Sequence, residues 1–134
     1  MSKRKSELPK MSVCISDFCK MVETARSDYE WNRDEVNRLD RLTQDYLHKL
    51  ELEGLDYSER AKVATKLMKC RQLRRESKDT IEILEPLITF LEGEKGKEMM
   101  NLIRNILGKT RKAEERMLNR TYRYRVLEQD NGNE

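Results

Sequence analysis

Apolar positions recur along the first third of the chain at alternating intervals of three and four residues. Such spacing keeps side chains on one face of a helix, and a run of this length is typical of a helix packed lengthwise against partner helices. The stripe consists of Ile15, Phe18, Val22, Ala25, Tyr29, Asn32, Val36, Leu39, Thr43, Tyr46 and Leu50.

Two further stripes follow, each after a turn signal. Gly54 is expected to end the first helix, and Asp56 or Ser58 to cap the second. Pro86 should kink that second helix or begin a new segment, and a turn containing Gly93 then leads to a third helix. The second stripe comprises Val63, Leu67, Cys70, Arg74, Ser77, Ile81, Leu84, Ile88 and Leu91, and the third Met99, Ile103, Ile106, Thr110, Ala113 and Met117.

The stripes align with one another across both turns. Pairing Leu39 with Cys70 and Ile88 with Ile103 leaves the sums of paired residue numbers nearly constant along each pair of helices. We therefore predict an all-α fold, an up-down-up antiparallel three-helix bundle or coiled coil with two long helices and a shorter third helix. Alternation from residue 121 to 126 predicts an extended C-terminal tail.

The chain is expected to form one domain. Its 134 residues are typical of a single domain, which we place at residues 16–127 with Ser16 as the first N-cap. Residues 1–15 are predicted to be a disordered basic arm, and residues 128–134 a disordered tail.

The predicted register brings polar residues together inside the bundle. Asn32, Ser77 and Ala113 would share one layer, with Arg74 in the next. A buried amide and hydroxyl that satisfy each other would set the helix register. The alternative is a site for a small ligand or a partner around Asn32, Arg74 and Ser77. Arg74 is expected to extend its guanidinium to the bundle edge.

The composition argues against catalysis and metal binding. His48 is the one histidine, and Cys14, Cys19 and Cys70 lack zinc-site spacing. Three cysteines favour a reducing compartment over a disulfide scaffold. There is no glycine-rich phosphate loop and no apolar run of about 20 residues. We expect no enzymatic activity, no cofactor, no metal and no membrane segment.

Charge is unevenly distributed although the net charge is only +3. Residues 60–78 hold eight basic residues and one acidic residue, and residues 95–125 hold ten and three. The predicted register places these segments at the same end of the bundle. They form either solvated faces with local ion pairs or a nucleic-acid surface in which cations track phosphates and tyrosines stack on bases. The candidate residues are Arg71, Arg75, Lys78, Arg111, Arg120, Tyr122, Arg123, Tyr124 and Arg125.

Tyr122 and Tyr124 have an alternative, structural role. Together with Val126 and Leu127 they would cover apolar residues that the third helix is too short to reach. These residues are Leu42, Leu47 and Met68.

Trp31 lies off the first stripe and should be largely exposed. Its helical neighbours include Asp34 and Glu35. A surface Trp beside acidic residues is a reasonable anchor for a protein partner, so Trp31, Asp34 and Glu35 are candidate partner-binding residues. The alternative is that Trp31 packs on the N-terminal arm or on a second protomer.

Several segments resemble small helical proteins of phages and prophages in low-GC Gram-positive bacteria. They are residues 29–32, 35–40, 43–48, 50–54, 59–67 and 119–126. The resemblance implies an accessory protein of the bacterial cytoplasm, with anti-defence action as one role, and transfers no functional residue.

The leading hypothesis is a non-catalytic interaction protein that binds a host or phage protein and self-associates. The alternatives are nucleic-acid binding through the basic faces and a sponge-type protein that sequesters a small ligand at the polar layer.

Overall fold

The structure, a computed structural model, describes residues 10–121 and 125–127. It contains three helices, α1 (Met11–Leu52), α2 (Tyr57–Glu92) and α3 (Glu94–Leu118). Of this part of the chain 91% is helical and none is strand, which confirms the all-α prediction. None of these helices combines the length and apolarity needed to cross a membrane.

Helix α1 begins earlier than predicted and ends where predicted. Residues 11–15, assigned to a disordered arm, are helical, and Lys10 rather than Ser16 is the N-cap. Residues 1–9 lie outside the described chain. At the other end, Gly54 has φ of +55°, the left-handed conformation that a helix-terminating glycine adopts without a Cβ penalty.

Helix α2 has the predicted cap but is not divided at its proline. The Asp56 carboxylate accepts a hydrogen bond of 2.8 Å from the backbone N–H of Glu59. This bond satisfies one of the unpaired donors of the first turn. Pro86 lies inside α2, which continues to Glu92, so no new segment begins there.

Helices α1 and α2 form an antiparallel hairpin in nearly the predicted register. The thiol of Cys70 lies 3.4 Å from the carbonyl oxygen of Leu39 and 3.4 Å from the hydroxyl of Thr43. Farther along, Val22 and Ile88, which the two stripes place opposite each other, share a buried cluster with Leu91. The contacts therefore follow the predicted register toward the end of α2.

Helix α3 does not return along the hairpin. Glu114 accepts hydrogen bonds from both the backbone N–H and the hydroxyl of Ser12, at 3.0 Å and 2.7 Å. Met100 packs in the cluster with Val22. As residue numbers rise along α3 they fall along α1, so α3 runs antiparallel to the start of α1. An up-down-up bundle would make these two helices parallel, so that part of the prediction is wrong.

The corner between α2 and α3 explains this direction. Only Gly93 separates the two helices. A Cβ on Gly96 would lie 2.0 Å from the carbonyl oxygen of Phe90 and 2.7 Å from the Cα of Leu91. The first turn of α3 therefore crosses directly over the backbone of α2, at an approach that only glycine permits.

The buried face of α3 differs accordingly from the predicted stripe. Gly96, Met100 and Leu107 are buried, whereas Ile106 and Met117 of the stripe are exposed. Of the tail that was predicted to be extended, residues 122–124 lie outside the described chain. Val126 and Leu127 are exposed, and both are helical.

Candidate interaction surfaces

The predicted polar layer exists only in part. Asn32 and Ser77 are both buried, but the Asn32 amide donates to the carbonyl oxygen of Asp28 in its own helix, at 2.7 Å. Ala113 is absent from this layer because its neighbour Glu114 contacts Ser12, and Ser12 lies 20 residues from Asn32, about 30 Å along a helix. The three-residue layer is therefore wrong. The contacts of Asn32 also lend no support to a small-ligand site.

Arg74 extends to the edge of the hairpin as predicted. Its Nε donates to the carboxylate of Asp40 across the two helices. The arginine side chain is 23% exposed and the aspartate 46%. An ion pair in this setting orients the guanidinium without burying an uncompensated charge.

Tyr29 forms a second polar link across the hairpin. Its hydroxyl donates to Glu85 at 3.1 Å, and the guanidinium of Arg33 lies 5.7 Å from the ring centroid. Burial, and then the hydrogen bond to Glu85, raises the pKa of the Tyr29 phenol. The group therefore stays neutral and acts as a structural donor.

Trp31 lies on a face of α1 that the hairpin leaves open. Its side chain is 62% exposed, and positions three and four residues away hold Asp28, Asp34 and Glu35. Arg38 binds Glu35, with 2.5 Å between Nη2 and Oε1, and this hydrogen bond lowers the pKa of the Glu35 carboxyl. Among the described residues, Asp28 and Asp34 form no ion pair. The face therefore offers one large aromatic side chain and two free carboxylates.

The two basic segments lie far apart, contrary to the prediction of a single basic end. Arg74 is adjacent to Asp40, whereas Glu114 of the late α3 segment is adjacent to Ser12. These α1 positions are 28 residues apart, about 42 Å along a helix. The composite basic surface is therefore wrong, since it depended on α3 running back beside α2.

Each basic segment forms its own shallow surface. Arg71, Arg75 and Lys78 border a groove of about 620 Å³ whose lining comes from α2 alone. A second groove, of about 640 Å³, is bordered by α3 residues that include Lys109 and Arg116. A depression within one helix does not enclose a ligand, so neither surface forms a pocket for a small molecule.

The remaining predicted nucleic-acid residues fall at the end of α3 or beyond it. Arg111 and Arg120 are exposed, and Arg125 is exposed in the tail. Tyr122, Arg123 and Tyr124 lie outside the described residues.

The proposed cover of the hairpin end fails for the described part of the tail. Val126 and Leu127 are exposed. The tail also leaves α3 near Ser12, about 45 Å along α1 from Leu42, which is farther than an extended segment from residue 118 to 127 can reach.

An apolar groove that sequence reasoning missed lies where α1 extends past the end of α2. It has a volume of about 350 Å³. Its signal was available in the helix lengths, because a hairpin that turns near Gly54 and ends at Gly93 leaves the first turns of α1 without a partner. The lining residues are Cys14, Ile15, Phe18, Ile103 and Ile106.

Comparison with protein-family models, curated proteins and solved structures finds no match to this chain. Within residues 10–121 and 125–127, no three His, Cys, Asp or Glu side chains converge to hold a metal ion.

Proposed function

We propose that this protein is a non-catalytic interaction protein that binds another protein through the face around Trp31. The observation that carries the proposal is the 62% exposure of Trp31 between carboxylates that have no ion-pair partner among the described residues. Large aromatic anchors dominate binding energy when a partner buries them. The phage or prophage origin suggested by the resemblance remains part of this proposal.

The chemistry of the face specifies the partner. Burial of the indole requires an apolar pocket, and Asp28 and Asp34 require cations around its rim. We therefore expect a protein surface with an apolar pocket bordered by Lys or Arg. Such complementary charges would raise the association rate and fix the orientation of the complex.

The test uses affinity capture from bacterial lysate, followed by titration of the purified partner. Trp31→Ala should weaken binding by about a hundredfold, the effect of losing one interfacial hot spot. Tyr57→Ala is the matched control, because it removes an aromatic side chain that is 85% exposed at the start of α2. Equal affinity of wild type and Trp31→Ala would reject the Trp31 face.

Nucleic-acid binding is the second candidate, now restricted to the α2 patch. Arg71, Arg75 and Lys78 are exposed on one flank of α2, and none forms an ion pair within the described chain. Their spacing of four and three residues aligns three cations along the helix, as a phosphate backbone would require.

This candidate predicts binding that falls steeply with salt concentration. Fluorescence polarisation with labelled DNA and RNA at low salt measures it. Changing Arg71, Arg75 and Lys78 together to Ala should abolish binding. Changing Lys62, Lys66 and Lys69, on the opposite flank of α2, should reduce it only slightly. Equal losses in the two variants would indicate non-specific attraction to charge.

A further inference from the structure

The apolar groove is the continuation of the path that α2 follows along α1. Val22 meets Leu91 near the end of α2, and the preceding stripe positions, Phe18 and Ile15, line the groove. Helix α3 covers only one side of these turns, through Ser12 and Val22. The α1 stripe therefore extends about two turns beyond α2, and among the described residues the groove between α1 and α3 stays open.

The apolar surface around this groove is larger than isolated side chains explain. Phe18 and Ile106 line the groove, and four further large side chains lie on the same faces of α1 and α3 by helical spacing. All six are between 38% and 66% exposed. Together they present on the order of 500 Å², at the upper range for a patch on a monomer and approaching the ~800 Å² per partner of a standard interface. The six are Met11, Phe18, Met21, Leu102, Ile106 and Met117.

We propose that a second copy of this chain covers the groove, so that two α1 starts and two α3 helices form a four-helix interface. Each copy supplies both the groove and an apolar edge, Leu102, Ile106 and Met117 of α3, that can fill the groove of the other. An interface made of the same patch on both subunits is self-complementary and closes after two copies.

Charge favours the orientation in which α1 of one copy lies on α3 of the other. The outer rim of α1 carries Asp17, and the outer rim of α3 carries Lys109 and Arg116. None of these three residues forms an ion pair within the described part of one chain. In this orientation Asp17 of each copy meets Lys109 or Arg116 of the other, whereas α1 against α1 would bring the two Asp17 side chains together.

Light scattering coupled to size exclusion tests the dimer. The wild type at high micromolar concentration should have twice the 16.1 kDa mass of one chain. Ile106→Glu should raise the dissociation constant about a hundredfold or more, because it places a charge in a desolvated groove. The control is Ile83→Glu, at an α2 position that is 76% exposed and outside the groove, and it should remain dimeric.

Circular dichroism confirms that each variant is folded, and Ile106→Ser replaces Ile106→Glu if helicity is lost. A monomeric wild type, or an Ile106 variant that dimerises as well as Ile83→Glu, would overturn the proposal. The proposal would also be overturned if the wild type were monomeric and a chain truncated after residue 121 formed dimers. That result would mean that the C-terminal tail covers the groove in the wild type. The Ile106→Glu monomer should still bind the Trp31 partner, so failure here is distinct from failure of the proposed function.

Discussion

The hairpin of α1 and α2 and the head formed by α3 with the start of α1 differ in how their register arises. In the hairpin, a tight turn at Gly54 joins two long stripes, and contacts such as Cys70 with Leu39 follow the heptad pattern. In the head, the close backbone contact between Gly96 and the end of α2 sets the direction of α3. The apolar stripe of α3 has no influence on that direction. Periodicity specifies register only where the connection lets the helices lie side by side.

The largest effect should come from the interior of the hairpin. Leu39 is 1% exposed, so Leu39→Ala should lower the free energy of unfolding by about 3 kcal/mol through lost burial and a cavity. Chemical denaturation measures this change, and hydrogen exchange should show weaker protection in both α1 and α2. The half-exposed Leu73 on α2 provides the control, for which Leu73→Ala should cost only about 0.5 kcal/mol. Similar losses for the two leucines would show that the hairpin interior is not closely packed.

Gly96→Ala should separate the head from the hairpin. The added methyl overlaps the backbone at Phe90 and Leu91, which no rotamer change relieves, so we expect a loss of about 2 kcal/mol or more. Hydrogen exchange should increase in α3 while the middle of the hairpin keeps its protection.

Gly108 offers the matched control for the corner. A Cβ there would meet nothing within 4 Å, so Gly108→Ala should stabilise α3 by roughly 0.5 to 1 kcal/mol through helix propensity. If both alanine variants stabilised the protein, the close crossing at Gly96 would be disproved.

A smaller effect should follow from the link between Glu114 and Ser12. Glu114 of α3 accepts a hydrogen bond from the backbone N–H of Ser12, the second residue of α1. It thereby caps a helix whose own N-cap residue, Lys10, provides no side-chain hydrogen bond. Both hydrogen bonds from Ser12 lower the pKa of the Glu114 carboxyl below its ordinary 4.5. A depressed pKa means that the stabilisation is present above pH 4.5 and is lost as the pH falls through the folded value.

Protection of the first turn of α1 should therefore decline in acid, as measured by hydrogen exchange after correction for intrinsic rates. Glu114→Gln should remove this pH dependence and lower protection at neutral pH, while leaving the hairpin intact. A pH profile identical in wild type and Glu114→Gln would assign the transition to another carboxyl group.

The candidate surfaces, like the fold, were predicted correctly where they depend on one helix and wrongly where they depend on the position of α3. Exposure of Trp31 followed from its angle to the first stripe, because α1 is one continuous helix and neighbours at three and four residues are fixed by its geometry. The shared basic end failed, and so did the cover over Leu42 for the described residues Val126 and Leu127, because each prediction required α3 to lie beside α2. The groove at Ile15 and Ile106 was missed for the same reason.

The sequence by itself determined three helices, most of their boundaries, a cap at Asp56 or Ser58, the left-handed glycine at position 54 and the hairpin pairing. Each of these depends on neighbours within a few residues or on two stripes joined by a short turn. Only the tertiary structure decided the direction of α3. Any two heptad stripes can be paired so that the sums of their residue numbers stay constant. Those sums therefore cannot show whether α3 runs back beside α2 or continues away from it. That choice depends on how closely the backbones at Phe90 and Gly96 approach, a distance between chain segments that hydrophobic periodicity does not encode.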